Sequence, residues 1–495
     1  MTVKTAPLSI KGLNFSTSYL QLPTHFYQQQ RPSPVTKPSL IHMNHALAKE
    51  LGIDSQSLAG PDGIDILAGN KVPQGAASIA LAYAGHQFGH FNPQLGDGRA
   101  ILLGELKDAE GKHWDIQLKG AGPTPYSRNG DGRSAMGPVL REYVLSEAMH
   151  RLGIKTTRAL AAVASGEQVY REQALPGAIF TRVASSHIRV GTFEYFYGKN
   201  QPEAIKQLAD YVIQRHYPEL QDAEKPYLAL LAAVIDAQAQ LIASWMSIGF
   251  VHGVMNTDNT SIYGETIDYG PCAFMENYDP ATCFSSIDQQ KRYAYGNQPA
   301  IGQWNMARLA ESLLSLLDSD QKQAVKLAEE LLSQYPERFN QYWLALMRKK
   351  TGLTTAAEGD EALIKDFLAI MNAEKTDFTL GFRNLSNLLA NTEGVPPASS
   401  EKLQNWLQRW QQRLAEESRS KAEVIEDLNK HNPLYIPRNH LVEAMIEAAV
   451  KEQNFGPMED LIAVLREPYT EQTGKHAFAT AGGNRWQQYR TFCGT

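Results

Sequence analysis

The sequence predicts an α+β fold in two lobes with a ligand cleft between them, on three observations. Strand-like stretches dominate the chain up to about residue 200, interrupted by one strongly periodic helix. From Pro202 onward nearly every segment carries the 3.6-residue apolar period of a helix. A loop crowded with oxygen-bearing side chains, His252 to Asp268, falls near the start of the helical part. Strands grouped first and helices second is the α+β pattern, and a site between two lobes is where ligands usually sit. The boundary is expected at residue 200. Residues 1–200 then form an N-terminal extension plus a β-rich lobe, and 201–495 a helical lobe with the polar loop and a C-terminal tail.

Taken in order, His42–Leu51 reads as a helix, and Val72–Gly98 is rich in Gly, Ala and His. Arg99–Leu106 and His113–Lys119 read as paired strands around a turn at Ala109-Glu110-Gly111, which puts Lys119 at a strand end. Gly120–Ser134 is a loop of Gly, Pro and polar residues. A helix is expected over Pro138–Leu152, with proline in its first turn and Leu140, Val144, Ala148 and Leu152 on one stripe. Glu142 shares a face with Leu145 and Met149, so it needs a cationic partner or solvent. Ala159–Ala164, Gln168–Arg171 and Gly177–Val183 read as strands, with Arg182 in the last and Arg189 after it. Helical periods come next at Glu203–His216, Pro226–Ser247, Ile301–Leu317, Gln321–Gln334, Ala362–Asn372, Ser400–Glu416, Leu441–Val450 and Met458–Leu465. Within the polar loop, Thr260–Tyr263 and Glu265–Ile267 read as a small hairpin turning at Gly264.

Composition excludes several classes. The net charge of −6 leaves no nucleic-acid footprint. Three cysteines, Cys272, Cys283 and Cys493, are too few for a disulfide scaffold and lack zinc-ligand spacing. The first fifteen residues contain no apolar signal core. The apolar segment Leu228–Met246 carries Asp236, Gln238 and Gln240, which suits a buried helix rather than a membrane span. A cytoplasmic protein with neither nucleic-acid nor membrane partners is the expectation. His86 and His90 form H-Q-F-G-H, close to the zinc-protease H-E-x-x-H. However, Gln87 stands where the base is needed and Gly89 weakens a helix.

Two constellations carry chemistry. Lys119 on a strand and Glu142 on the next helix match the ion pair that positions phosphates in protein kinases. Asn259 lies seven residues after His252, as in the kinase H-R-D-x-x-x-x-N, and Asp268-Tyr269-Gly270 stands in for D-F-G. Oxygen ligands of this kind suit Mg²⁺ or Mn²⁺. Val254 occupies the position of the kinase base and cannot accept a proton. Asp258 is the nearby carboxylate left to polarise a hydroxyl or to reach a metal through water. Gly96-Asp97-Gly98-Arg99 and Asn129-Gly130-Asp131-Gly132-Arg133 offer backbone N–H groups and arginine forks for phosphate.

Together these motifs, with Gln117-Leu118-Lys119-Gly120, His252–Asn259 and Ile267–Pro271, resemble the selenoprotein O family of pseudokinases over nearly the whole chain. The resemblance implies a bilobed protein-kinase-like fold and transfer of AMP from ATP to Ser, Thr or Tyr hydroxyls of proteins, with UTP as an alternative donor. It also implies a nucleotide bound in reverse relative to kinases. Lys119, paired with Glu142, would bind phosphate. Gly96, Gly98, Arg99, Asp131, Gly132, Arg182, Arg189 and Asp268 would surround the nucleotide. Asp258 would accept the proton, and Asn259 and Asp268 would hold Mg²⁺ or Mn²⁺. Cys493, third from the end, would pair reversibly with Cys283 or, less readily, Cys272. The competing expectations are an inactive scaffold, motivated by Val254, and an ATP-dependent phosphotransferase.

Overall fold

The structure, a computed structural model, describes residues 13–390, 400–483, 486 and 489–491. Its β part comprises β1 (Tyr27–Gln29), β2 (Ser39–Met43), β3 (Ile79–Leu81), β4 (Gly85–Gln87), β5 (His90–Asn92), β6 (Ala100–Lys107), β7 (His113–Lys119), β8 (Ser134–Ala135), β9 (Arg158–Tyr170) and β10 (Ala174–Ala184). Eight of these form one antiparallel sheet in the order β1-β3-β6-β7-β10-β9-β2, with β8 added on β10; β4 and β5 make a separate hairpin. The expected strands Ala159–Ala164 and Gln168–Arg171 run together as β9, because β10 stays paired along its length.

Register places the chemistry. In the β7–β10 ladder Gln117 pairs with Arg182 and Lys119 with Phe180. Side chains alternate along a strand, so Gln117, Lys119 and Arg182 share one face of the sheet. A slip of one residue would turn all three away.

Against that sheet lies the helix Met136–Arg151, which carries Glu142 and begins two residues before the expected proline. It is buried on nearly every side. Leu140, Tyr143 and Val144 pack with Val442 and Met445 of the helix Asn439–Glu452 and with Leu461 of the helix Gly456–Leu465. A helix covered by a sheet and by two further helices is fully exposed to solvent only at its C-terminal end, so Glu142 is only 4% exposed and must find its partners inside.

The remaining chain is mostly helical, and Tyr335–Lys350 and Lys421–His431 add helices to those expected. Pro226–Ser247 passes a membrane span by length and apolarity, yet 56% of its most apolar window is buried, packed on the helices Gln298–Leu317 and Tyr335–Lys350. It leads through β11 (Phe250–Val251), paired with β12 (Ala273–Phe274), into the polar loop. The hairpin expected over Thr260–Ile267 does not form. Its residues pair outward instead, Ser261 with Arg189 and Thr266 with Thr156, through isolated bridges. Those outward bonds tie the loop to the segments before and after the β9–β10 pair, Thr156 lying just beyond the end of the Glu142 helix.

Candidate active site

Asp268 is the hub. Its backbone is left-handed, with φ of 62°, a conformation that carboxamide and carboxylate residues tolerate better than others. Lys119 Nζ donates to its Oδ1 at 2.9 Å, Arg182 Nη2 to the same oxygen at 2.6 Å, and Arg189 Nη1 to Oδ2 at 2.5 Å. Lys119 also donates to Glu142 Oε2 at 2.7 Å, and Arg182 to Glu142 Oε1. The expected Lys119–Glu142 pair is therefore present, and Arg182 doubles it. Burial opposes ionisation of both carboxyls, but Arg182 and Lys119, joined by Arg189 at Asp268, outweigh it and hold both below the ordinary range. Three cations facing two carboxylates leave a surplus of positive charge, which suits a phosphate.

Arg189 bridges to the next part of the site. The same Nη1 donates to the backbone carbonyl of Asp258 at 2.5 Å. Asp258 is 7% exposed. Its Oδ2 accepts from Gln87 Nε2 at 3.0 Å, while Oδ1 is buried without a partner among the described residues. Burial pushes this carboxyl up to about 7, against the opposing pull of Gln87 and Arg189. A carboxylate poised near neutral pH with one free oxygen is what a general base requires. Gly85 makes room for it: a Cβ there would lie 2.5 Å from Oδ1.

The H-Q-F-G-H stretch, which sequence spacing suggested only as a defective zinc motif, supports this loop. Gln87 holds Asp258, the backbone N–H of His86 donates to Thr257 Oγ1 at 2.7 Å, and His86 Nδ1 lies 2.5 Å from Glu194, which also accepts from Thr257. Nothing local could have revealed these roles, since His86 and Gln87 each lie 171 residues before the loop residue they touch. Replacing Gln87 with Leu should favour the protonated form of Asp258. The acidic limb of the pH profile of kcat/KM then moves to higher pH, which titrating the variant beside the parent would measure.

His252 is buried, with Nε2 3.0 Å from the carbonyl of Ile267, so it pins the loop beside Asp268. Asn259 Nδ2 donates to the carbonyl of Val254 at 3.0 Å. That bond commits the amide nitrogen and leaves the side-chain oxygen as a ligand atom. Among the described residues no cluster of three His, Cys, Asp or Glu side chains forms a metal cage. Asn259 and Asp268 would offer a hard cation one amide oxygen and one carboxylate, the latter shared with the three cations already bound to it, with the remaining ligands coming from water and phosphate.

Other expected residues lie further out. Arg99 lines a cavity of 260 Å³ with Lys119, Glu142, Arg141, Tyr269 and Gly270. Gly96, with φ of 72°, sits under the Tyr126 ring, and Gly98 packs on the backbone of Tyr126. Gly132 packs on the carbonyl of Gly122. Asp131 is exposed and bound by Arg171 at 2.9 and 3.0 Å. Gly96, Gly98, Gly132 and Asp131 make no direct bond to the Asp268 hub. Cys283 is buried with Sγ 3.4 Å from Asp288, and burial and that carboxylate push the thiol up to about 11. Beside it, Thr491 N donates to Phe284 O at 2.8 Å and Ser286 N to Thr491 O at 3.1 Å. Cys493 lies outside the described residues.

The arrangement gathers three cations on one carboxylate beside a second, buried carboxylate with a free oxygen, which suits a nucleotide-handling transferase. Sequence comparison agrees. The profile of the family described as protein adenylyltransferase SelO matches residues 9–466, and the chain belongs to this family. It is 54% identical over 486 residues to the protein nucleotidyltransferase YdiU of Rhizobium johnstonii, covering 97% of each chain. It is 55% identical over 488 residues to that of Bradyrhizobium diazoefficiens, covering 97% of this chain and 99% of the relative, and 55% over 489 residues to that of Rhizobium meliloti, covering 98% and 100%. The chain is thus an enzyme, a nucleotidyltransferase.

Proposed function

We propose that this enzyme transfers AMP from ATP to the hydroxyl of a Ser, Thr or Tyr side chain in a protein and releases pyrophosphate. The observation that carries this reading is Asp258: a buried carboxylate with a free oxygen, beside the cationic hub, in a loop whose usual base position holds Val254. The hydroxyl oxygen bonds to the α-phosphorus, its proton passes to Asp258, and the bond from the α-phosphorus to the bridging oxygen breaks. Charge then grows on the departing pyrophosphate, where Lys119, Arg182 and Arg189 stabilise it. Asn259 and Asp268 would hold Mg²⁺ or Mn²⁺, which supplies further charge neutralisation when bound.

In this reading the nucleotide is reversed relative to kinases, so that its α-phosphorus faces Asp258. The architecture is kinase-like and bilobed, dividing near residue 200, with the helices Asn439–Glu452 and Gly456–Leu465 returning to cover the Glu142 helix. Arg99 and the Gly96–Gly98 and Asp131–Gly132 turns would close on the phosphates when nucleotide enters. UMP transfer from UTP uses the same groups.

ATP labelled at the α- or the γ-phosphorus decides the chemistry. Label is expected on protein from the α position only, and chelation of divalent cations is expected to remove it. Label from the γ position alone would establish a phosphotransferase, and nucleotide binding without either label a scaffold.

The tail adds a redox element. Cys493, two residues beyond Thr491, would join Cys283, two electrons and two protons passing to a peroxide or disulfide oxidant. The raised Cys283 thiol makes this slow at neutral pH and faster as pH rises toward 11. Peptide mapping without reductant, after mild oxidation at pH 7 and pH 9, should find the cross-link mainly at pH 9; its absence at both would refute the pairing.

A further inference from the structure

A second cavity, of 320 Å³, lies behind the Glu142 helix, on the side away from Lys119. Its polar lining is Asn44, His42, His45, Tyr143, Glu147, Arg151 and Arg466, and its apolar wall includes Val144, Ile462 and Leu465. It therefore spans a seam between three pieces of chain: the end of β2 with residues 44–46, the Glu142 helix, and the C-terminal end of the helix Gly456–Leu465. The volume is at the lower end for ligand pockets. At the roughly 30 Å³ that liquid water takes per molecule, it has room for about ten non-hydrogen atoms.

Charge in this cavity is unbalanced. Glu147 is its one carboxylate and is already saturated. Its Oε1 accepts from Arg158 Nε and from Ala159 N, both at 2.9 Å, and its Oε2 from Arg158 Nη2 at 3.0 Å. Arg151 and Arg466 form no ion pair or side-chain hydrogen bond among the described residues, and both are exposed to solvent at the rim. Burial holds the His42 imidazole below its ordinary range and His45 Nδ1 lies 2.9 Å from Ser55 Oγ, so the anionic head is selected by the two guanidinium forks, and the apolar body by the wall beside them.

We propose that this cavity is an effector site for a small carboxylate or phosphate carrying a short apolar group. Arg151 is on the helix that holds Glu142, nine residues on, about 14 Å at 1.5 Å per residue. Arg466 follows the helix packed against it. Both line the one cavity from opposite sides of the seam, so an anion held by both fastens the Glu142 helix to the helix Gly456–Leu465. Occupancy at the back thus stiffens the helix whose front side chain joins Lys119 and Arg182.

The test uses the full-length protein without nucleotide, so that it stands apart from the proposed reaction. Benzoate, phenyl phosphate, inorganic phosphate and benzyl alcohol are titrated by calorimetry, and hydrogen exchange is followed in peptides covering residues 136–151. Benzoate or phenyl phosphate is expected to bind saturably, and which of them binds tighter identifies the head group. The tighter of them should bind at least about tenfold more tightly than inorganic phosphate or benzyl alcohol, and should slow exchange in that helix. Arg466→Glu and Arg151→Glu, both at exposed positions, should each weaken binding about tenfold or more. Equal binding of benzyl alcohol would overturn the proposal by showing that charge is not read, and equal binding of inorganic phosphate by showing that the apolar wall is not. Absence of saturable binding, binding indifferent to both substitutions, or binding without protection of the helix would each overturn it as well.

Discussion

Asp258→Asn is expected to lower nucleotidyl transfer by about a hundred- to ten-thousand-fold while leaving nucleotide affinity intact. The magnitude is that of a positioned general base. Asparagine keeps an oxygen that can accept from Gln87 and fits the space beside Gly85, so the loop is preserved while the proton acceptor is lost. Single-turnover assays with α-labelled ATP, beside equilibrium nucleotide binding, separate the two effects. In the proposed reaction only the ionised carboxylate accepts the proton, so kcat/KM of the parent is expected to rise with pH and level off above about 7, the value to which burial pushes the group. The variant lacks that limb. Stability moves in the opposite sense. A carboxyl raised in the folded state favours folding fully below its unfolded value, near 4, and that contribution is lost as pH rises through about 7. The Asp258→Asn variant is therefore expected to melt above the parent at pH 8, and the two should converge in acid.

Arg182→Met costs stability heavily, by about 3–5 kcal/mol, the range for removing one partner from a buried ion pair. Arg182 is 0% exposed and donates to both Glu142 and Asp268. Methionine fills the space but leaves Glu142 with Lys119 alone, which it must share with Asp268. Both carboxyls are held below the ordinary range in the parent, so their contribution is present above about pH 4 and lost as pH falls through their lowered folded values. The deficit of the variant is accordingly greatest at neutral pH and shrinks in acid. Denaturant titration at pH 7 and again well below pH 4 measures it. Arg182→Lys restores the charge without the planar fork and should recover only part of the loss.

Much of this site was legible in the sequence because its parts are local. Strand periodicity placed Lys119, helical periodicity placed Glu142, and a seven-residue interval placed Asn259 after His252. Burial of Glu142 demanded a cation, and the structure supplies two, Lys119 and Arg182. Long-range partners were not legible. Gln87 meets Asp258, and Arg189 joins Asp258 to Asp268, only through the fold. The expected hairpin at Thr260–Ile267 failed for a related reason: the β-prone residues there bond to distant chain rather than to each other. The glycine-rich turns illustrate the converse. Gly96, Gly98 and Gly132 suited a phosphate cradle by composition, but close packing on Tyr126 and on the Gly122 backbone also requires them.

The grip on Asp268 has a corollary for how the pocket receives its guest. Lys119, Arg182 and Arg189 are already converged on one anionic group, so the resting enzyme carries an internal surrogate for phosphate. In the proposed reaction, arrival of a nucleotide would be a swap of anions among side chains held in place beforehand, with little reorientation left to perform. Mononucleotides with a single phosphate, unable to displace that resident carboxylate from three cations at once, should be poor competitors.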